Sequence, residues 1–229
     1  MKKRKIKLAI VDNSMDSSIY TPVEHWKTHL NVEWDSFEAK KGHFPSFKKG
    51  YNHLILTGSE ASILEREDWV YQEVELVREA VEKGFSILGS CYGHQLLALA
   101  LAGDVHLRRC RQPEVGWIPV KVTQKNALLG EKKIFYSFSS HFDEVVDLDD
   151  SFTVLAYTPQ CSIQAFELRG KHVFGLQPHP EIDVPSALKF LRNLISLNLR
   201  TTPLFEEALQ QTPKDSLLIR RIVKKFLEL

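Results

Sequence analysis

One stretch in the first half of the chain alternates between strand and helix patterns. Residues 53–56 and 85–88 are short apolar runs that end in turn-forming residues, which predicts two strands. Between them, residues 65–83 carry apolar side chains at helical spacing, and Gly84 suits a helix end. Strand, helix and strand in this order predict two parallel strands joined by a right-handed crossover. The chain is therefore constrained to an α/β fold.

The second half of the chain shows strands with little helix between them. Such segments favour antiparallel pairing, and they comprise residues 115–122, 133–138, 152–157, 162–168 and 172–176. Residues 6–11 predict a first strand, and residues 185–199 predict a helix after the last one. The predicted fold is α/β, with a mixed, mostly parallel central sheet flanked by helices.

Length and patterning set the expected domain organisation. The chain has 229 residues, of which 43% are hydrophobic, enough for one substantial core. We expect a main domain of residues 1–200 and a C-terminal helical extension of residues 201–229. The extension carries an apolar stripe of Leu218, Ile222 and Phe226. The favoured interpretation is that the stripe packs on its own domain, and the alternative is that it docks a second copy or a partner.

Charge and cysteine content argue against several classes of protein. A formal net charge of +1 gives no electrostatic reason to expect a nucleic-acid or membrane partner. The apolar run behind the basic start is too short for a targeting signal, and no segment is long enough to span a bilayer. Three cysteines, Cys91, Cys110 and Cys161, are too few for a disulfide framework. They indicate a reducing, cytoplasmic setting, where one cysteine can serve as a nucleophile.

The most informative motif is an apolar strand that runs into Gly89-Ser90-Cys91-Tyr92-Gly93, with a helix directly after it. This pattern predicts a nucleophile elbow, a sharp strand-to-helix turn that exposes the central side chain. The turn places the Cys91 sulfur at the positive end of the next helix, which favours the thiolate. A buried structural cysteine at an ordinary junction is the alternative for the motif taken alone.

A thiol nucleophile needs a base, and the base needs a group that orients it. Of the nine histidines, His179 has the most suggestive context, in Gln177-Pro178-His179-Pro180-Glu181. The two prolines restrict the backbone, and Glu181 can hold the imidazole tautomer. His94 follows Cys91 within the next helix and is expected to brace the elbow. Taken alone, the His-Pro-Glu segment also fits an ordinary loop.

Together, the cysteine elbow and the His-Pro-Glu segment resemble the signature pair of the class I glutamine amidotransferases. Gly116-Trp117 and the segment Ser140-His141-Phe142-Asp143 resemble the branch related to the amidotransferase domain of GMP synthetase. The resemblance covers about residues 5–195 and implies flavodoxin-like layering of sheet and helices. It also implies that Cys91 is the nucleophile, His179 the general base and acid, and Glu181 the orienting group.

The resemblance further implies how the substrate is held. The oxyanion would be stabilised by the amide of Tyr92 together with that of Gly58 or Ser59. Many relatives have two glycines and a proline in this loop, so the choice between Gly58 and Ser59 stays open. Gln95 and the main chain of the segment that begins at Ser139 would bind glutamine, with these segment residues: Ser139, Ser140, His141 and Phe142.

Other candidate sites in the sequence are weaker. His141 and Asp143 have an alternative interpretation as a second catalytic pair, although shaping the pocket is favoured. Cys110 lies among arginines and is expected to be a structural or surface thiol. The spacing of Cys, His and acidic residues predicts no metal site, and no cofactor is expected.

These features predict a glutaminase that forms a cysteine thioester and passes ammonia to an acceptor. Its expected partners are glutamine and either a separate synthetase or a second copy of the chain. One alternative is a standalone γ-glutamyl peptide hydrolase or transferase. A non-enzymatic regulatory or binding homologue is the other alternative, and the intact Cys, His and Glu argue against it.

Overall fold

The computed structural model describes residues 5–229, which form nine β-strands and six α-helices. The strands are β1 (Lys7–Asp12), β2 (Glu33–Glu38), β3 (His53–Leu56), β4 (Ser86–Ser90), β5 (Leu107–Val122), β6 (Ile134–Val145), β7 (Phe152–Tyr157), β8 (Ala165–Leu168) and β9 (Val173–Leu176). The helices are α1 (Pro22–Lys27), α2 (Asp68–Glu82), α3 (Tyr92–Leu101), α4 (Val184–Ser196), α5 (Thr202–Gln210) and α6 (Ile219–Leu227).

The described strands form a single sheet in the order β2-β1-β3-β4-β9-β8-β7-β5-β6. From β2 to β9 the neighbours pair in parallel, and from β9 to β6 they pair antiparallel. The predicted mixed α/β sheet is confirmed, and its parallel part contains the predicted crossover through α2. Of the described strands, five pair in parallel and five pair antiparallel, and β9 belongs to both groups.

Side chains of the parallel strands alternate between two separate hydrophobic cores, one on each face of the sheet. Ala9 and Val11 of β1 point to a core shared with α2 and α3. Leu8 and Ile10 point to the opposite core, which is covered by Trp26 of α1 and by the apolar side of α6. This alternation is the period-two pattern of a strand that is buried on both faces. The molecule therefore has a sheet between two helical layers.

The C-terminal helices pack on the rest of the chain. The predicted apolar stripe of Leu218, Ile222 and Phe226 is buried in the same core as Leu8 and Ile10, so the favoured interpretation is confirmed. Helix α5 joins α4 in a third cluster that includes Trp117, Phe138 and Phe205. No described helix is long and apolar enough to cross a bilayer.

The parallel strands also determine where chemistry can occur. Strands β3, β4 and β9 are neighbours and run in the same direction, so their carboxyl ends lie at one edge of the sheet. The segments that follow these ends begin at Thr57, Cys91 and Gln177. Ligand sites in open α/β sheets typically lie at this edge. The fold thus collects three of the four predicted site segments in one place, and the fourth, residues 139–142, belongs to β6.

Candidate active site

Cys91 occupies a strained turn between β4 and α3. Its φ is +50° and its ψ is −103°, a conformation that is unusual for a residue with a side chain. The flanking glycines permit the turn: a Cβ at Gly93 would lie 2.2 Å from the carbonyl oxygen of Leu56. A Cβ at Gly89 would lie 2.4 Å from the carbonyl oxygen of Gly93. The local backbone is the elbow that the motif predicts.

His179 and Glu181 form a buried hydrogen-bonded pair. Nδ1 of His179 lies 2.9 Å from Oε1 of Glu181, and both side chains are at least 95% buried. The hydroxyl of Ser90 donates to both carboxylate oxygens of Glu181, at 3.0 and 3.1 Å. The backbone N–H of His179 donates to the carbonyl oxygen of Phe138 at 2.8 Å. The imidazole is thus held from both its ring and its main chain.

Charges around this pair favour an imidazolium next to the sulfur. Burial alone would lower the pKa of His179, but Cys91 and Glu181 together raise that pKa to about 10. Burial would raise the pKa of Glu181, but His179 and the Ser90 hydroxyl hold it below the usual value. Since Nδ1 faces Glu181, Nε2 is left for the sulfur. The arrangement suits a thiolate–imidazolium pair, in which His179 holds the proton that the Cys91 thiol has released.

The predicted oxyanion residues differ in whether they line the cavity beside Cys91. Ser59 and Tyr92 line a cavity of about 500 Å³ together with Cys91. Tyr92 is the first residue of α3, where backbone N–H groups lack partners within the helix. Gly58 does not line this cavity, and a Cβ there would meet Cε1 of His179 at 2.7 Å. Ser59 and Tyr92 therefore have the better access to a ligand, and their role as donors stays a prediction.

Gln95 can bind a ligand only as a hydrogen-bond acceptor. Its Nε2 donates to the carbonyl oxygen of Asp143 at 2.8 Å and to Oε1 of Gln177 at 3.2 Å. These two bonds use both hydrogens of the amide. Gln95 lines the cavity, so its Oε1 can accept from an ammonium group such as the α-amino group of glutamine.

Strand β6 is an edge strand, and one side of it faces the candidate nucleophile. The carbonyl oxygen of Ser140 lies 3.9 Å from Sγ of Cys91. Ser140, His141 and Phe142 line the cavity, whereas Ser139 is fully buried and is not among the lining residues. Because main-chain groups two residues apart share one edge, Ser140 and Phe142 are the residues placed to hold a ligand. Ser139 can affect a bound ligand only indirectly, through its position in β6.

The side chains of His141 and Asp143 form hydrogen bonds with other groups and not with each other. Nε2 of His141 lies 3.0 Å from Oε2 of Glu114, and the Asp143 carboxylate accepts from Ser62 at 2.6 Å. The favoured interpretation, that these residues shape the pocket, agrees with this geometry. Cys110 also lies in the cavity wall, where burial raises the pKa of its thiol.

One cluster could hold a metal ion although the spacing of its residues does not predict it. Ligand atoms of Glu114, His141 and Cys161 lie within 4.8 Å of one another, and all three residues are buried. They come from β5, β6 and the turn after β7, so only the fold brings them together. In this structure Glu114 already accepts hydrogen bonds from His141 and Gln164. The absence of a metal site stays a prediction.

The geometry of the site agrees with the protein family whose model matches the sequence. Residues 7–195 match the family model described as glutamine amidotransferase class-I. The chain belongs to this family.

Two relatives and one solved structure show what this class I amidotransferase chain is similar to. Gamma-glutamyl peptidase 3 of Arabidopsis thaliana is 24% identical and aligns with 86% of this chain and 83% of its own length. GMP synthase [glutamine-hydrolyzing] of Clostridium novyi is 36% identical over 139 residues, which is 59% of this chain but only 25% of that enzyme. A solved glutamine amidotransferase from Thermotoga maritima superposes with a TM-score of 0.73 at 19% identity, covering 97% of this chain and 96% of its own.

Three site residues of this family member are not singled out by the sequence. Ser90 supports Glu181, and the hydroxyl of Tyr20 lies 3.5 Å from Oε1 of Glu181 and 3.4 Å from Nδ1 of His179. Gln177 donates from Nε2 to Sγ of Cys91 at 3.6 Å. Ser90 and Gln177 lie within the two predicted motifs, which assign them no role. Tyr20 is distant in sequence and carries no motif.

Proposed function

We propose that this chain is a glutaminase that hydrolyses the side-chain amide of glutamine through a thioester on Cys91. The observation that supports this most directly is the placement of His179 between Glu181 and Cys91, which raises the pKa of His179 to about 10. An imidazolium next to the sulfur stabilises the thiolate, which is the nucleophilic form of cysteine.

The residues divide the reaction into two halves. The Cys91 thiolate attacks the amide carbon, and backbone amides at Tyr92 and at Ser59 or Gly58 stabilise the oxyanion. His179 then transfers its proton to the departing nitrogen, which leaves as ammonia. Neutral His179 takes a proton from water, the resulting hydroxide attacks the thioester, and the proton returns to sulfur as glutamate leaves. Glu181 keeps the imidazole oriented throughout.

The proposed destination of the ammonia is a separate synthetase. The alignment with GMP synthase covers a quarter of that enzyme, and a synthetase partner is the proposed site of the acceptor chemistry. The three free cysteines suit a reducing compartment, and we place the protein in the cytoplasm on that basis.

A second candidate function is hydrolysis of γ-glutamyl peptides. The cavity beside Cys91 has a volume of about 500 Å³, which lies in the range of sites that hold ligands larger than glutamine. The alignment with gamma-glutamyl peptidase 3 over most of both chains supports the same reading. Both candidates use one acyl-enzyme and differ only in the leaving amine.

Release of glutamate from glutamine by variants of the purified protein tests the shared chemistry. We expect Cys91→Ala to reduce the rate to background, and His179→Ala to be nearly as severe because the groups act as a unit. Cys110→Ala is the matched control, since Cys110 lines the same cavity, and it should retain most activity. A glutamine-like alkylating agent should label Cys91. Labelling of Cys110 instead, or activity that survives Cys91→Ala, would reject the proposal.

A further inference from the structure

The cavity beside Cys91 is lined by polar and by apolar side chains. Ser59, Gln95 and Ser140 line it together with Cys91 and offer hydrogen-bonding groups. The same cavity has an apolar wall, which consists of Phe142, Phe190, Leu194, Leu199 and Phe205, and all of these except Leu199 also pack in one apolar cluster. A γ-glutamyl group needs the polar side chains for its α-amino and α-carboxylate groups. The apolar wall is then left on the side of the leaving amine.

The apolar wall is built from three elements that pack on one another. Phe142 belongs to β6, Phe190 and Leu194 belong to α4, and Phe205 belongs to α5. The rings of Phe142 and Phe205 meet edge to face with centroids 6.1 Å apart. Helix α5 lies in the C-terminal extension, so the extension contributes directly to the cavity.

The charged groups near the wall already have partners. Arg109 pairs with Asp143 and Glu65, each at 3.0 Å. A leaving amine that lies against the wall therefore meets apolar surface and neutralised charge. Ammonia gains nothing from such surface, because it has no apolar group to bury. An aliphatic or aromatic side chain gains binding free energy when its apolar surface is buried against the wall.

We propose that the apolar wall is a leaving-group subsite and that the preferred substrates are γ-glutamyl amides of amines with an aliphatic or aromatic side chain. This inference rests on the second candidate function, hydrolysis of γ-glutamyl peptides by Cys91, in which the leaving group is larger than ammonia. It also assigns Leu199, Leu194 and Phe205 as specificity-determining residues.

Two exposed leucines provide a matched test of the subsite. Leu199 lines the cavity and is 46% exposed, whereas Leu197 is 45% exposed and is not among the lining residues. Both follow α4 in the same short connection, so an aspartate at either position should be tolerated by the fold. Leu199→Asp places a charge in the apolar wall, and Leu197→Asp places the same charge outside it.

The experiment compares kcat/KM for glutamine, γ-Glu-Gly, γ-Glu-Leu and γ-Glu-Phe with the full chain. The three dipeptides share the leaving-group carboxylate, so only the side chain differs among them. We expect kcat/KM for γ-Glu-Phe to exceed that for γ-Glu-Gly by about tenfold or more, the size of discrimination that an apolar pocket supplies. Leu199→Asp should reduce the ratio of γ-Glu-Phe to γ-Glu-Gly about fivefold or more, and Leu197→Asp should leave it unchanged.

The outcomes separate this inference from the function on which it rests. Glutamate release from no substrate rejects the proposed function, and the subsite falls with it. Hydrolysis of glutamine and of all the dipeptides without preference for an apolar side chain overturns the subsite alone. The subsite is also overturned if Leu199→Asp and Leu197→Asp change the ratio equally. Thermal unfolding of both variants verifies that each is folded.

Discussion

At the scale of single residues, Gln177 connects the candidate nucleophile to the binding pocket. Its Nε2 donates to Sγ of Cys91, and its Oε1 accepts from Gln95. Gln95 in turn donates to the main chain of Asp143. A donor at the sulfur stabilises the thiolate over the thiol. Gln177 is therefore expected to help set the reactivity of Cys91.

The variant Gln177→Glu tests this role. A carboxylate in place of the amide removes the donor and adds a negative charge beside the sulfur, so alkylation of Cys91 at neutral pH should slow about tenfold or more. The rate of iodoacetamide labelling of Cys91 at fixed pH measures the change. Gln164→Glu is the control, because Gln164 is also fully buried but donates to Glu114. Equal alkylation rates for the two variants and the parent protein would exclude the role.

Ser90 supplies a second residue-scale prediction through its bonds to Glu181. Hydrogen bonds to a charged group contribute about 1.5–3 kcal/mol, so Ser90→Ala should reduce stability and activity. Tyr20→Phe should cost less, because the Tyr20 hydroxyl lies farther from the carboxylate, at 3.5 Å. The order of the two variants in thermal unfolding and in glutamate release gives the measurement, and a milder Ser90→Ala would contradict it.

The pH dependence of the Ser90→Ala effect follows from the direction of the Glu181 shift. Contacts in the folded state hold the pKa of Glu181 below its ordinary 4.5. Ser90 therefore adds stability that is present above about pH 4.5 and is lost as the pH falls through the folded-state pKa. The difference in unfolding free energy between parent and variant should be constant near neutral pH and shrink in acid.

Much of the site is predictable at this scale because its parts are local motifs. The elbow around Cys91 and the segment from His179 to Glu181 each encode a short-range geometry. Tyr20 and the Glu114–His141 contact are not predictable in this way. Tyr20 reaches His179 across 159 positions of sequence, and only the tertiary fold sets such contacts.

At the scale of elements, α2 contains a carboxyl group with no described hydrogen-bond partner. Glu73 is fully buried, and both carboxyl oxygens lack a partner in the hydrogen-bond geometry of residues 5–229. Burial raises the pKa of Glu73 to about 8, and the nearby Asn13 amide, which lies outside strict hydrogen-bond geometry, offsets only part of that rise. The folded state therefore keeps a proton that the unfolded chain has already released at neutral pH.

Glu73→Gln should stabilise the protein in a pH-dependent manner. Below about pH 4.5 both states of the parent are protonated, so the variant gains nothing. Between the unfolded value of 4.5 and about 8 the parent loses stability as the pH rises, and the gain of the variant grows to a few kcal/mol at most. Denaturant unfolding at pH 5 and pH 8 measures it. Glu75→Gln, at an exposed position of the same helix, is the control and should show no such trend.

The elements differ in how well their patterns predict them. Strands β3 and β7 coincide with the predicted residues because each is an apolar run with clear turn chemistry. Strand β2 is not predicted, since its charged sequence Glu33–Glu38 is half-buried or exposed at the sheet edge. Strands β5 and β6 are longer than predicted, because polar residues continue the pairing across a register shift between Arg109 and Glu114.

At the scale of the whole molecule, the C-terminal extension belongs to both the core and the cavity. Phe226 of α6 is fully buried and meets His53 of β3 edge to face, with ring centroids 5.2 Å apart. Phe205 of α5 forms part of the apolar wall. The boundary at residue 200 is visible as a change of sequence pattern, yet the residues on both sides share buried surface.

Removal of the extension is the sharpest test of that integration. We expect a chain that ends at residue 200 to be aggregated or unfolded, because the face of the sheet with Leu8 and Ile10 would be exposed. Phe226→Ala should lower the unfolding free energy by about 3–5 kcal/mol. Lys224→Ala, on the exposed side of the same helix, should stay within about 0.5 kcal/mol. Gel filtration and denaturant unfolding supply the measurements. A shortened chain that is monomeric, cooperative in unfolding and fully active would show that residues 1–200 are an independent domain. It would also show that the leaving-group side of the cavity does not depend on α5.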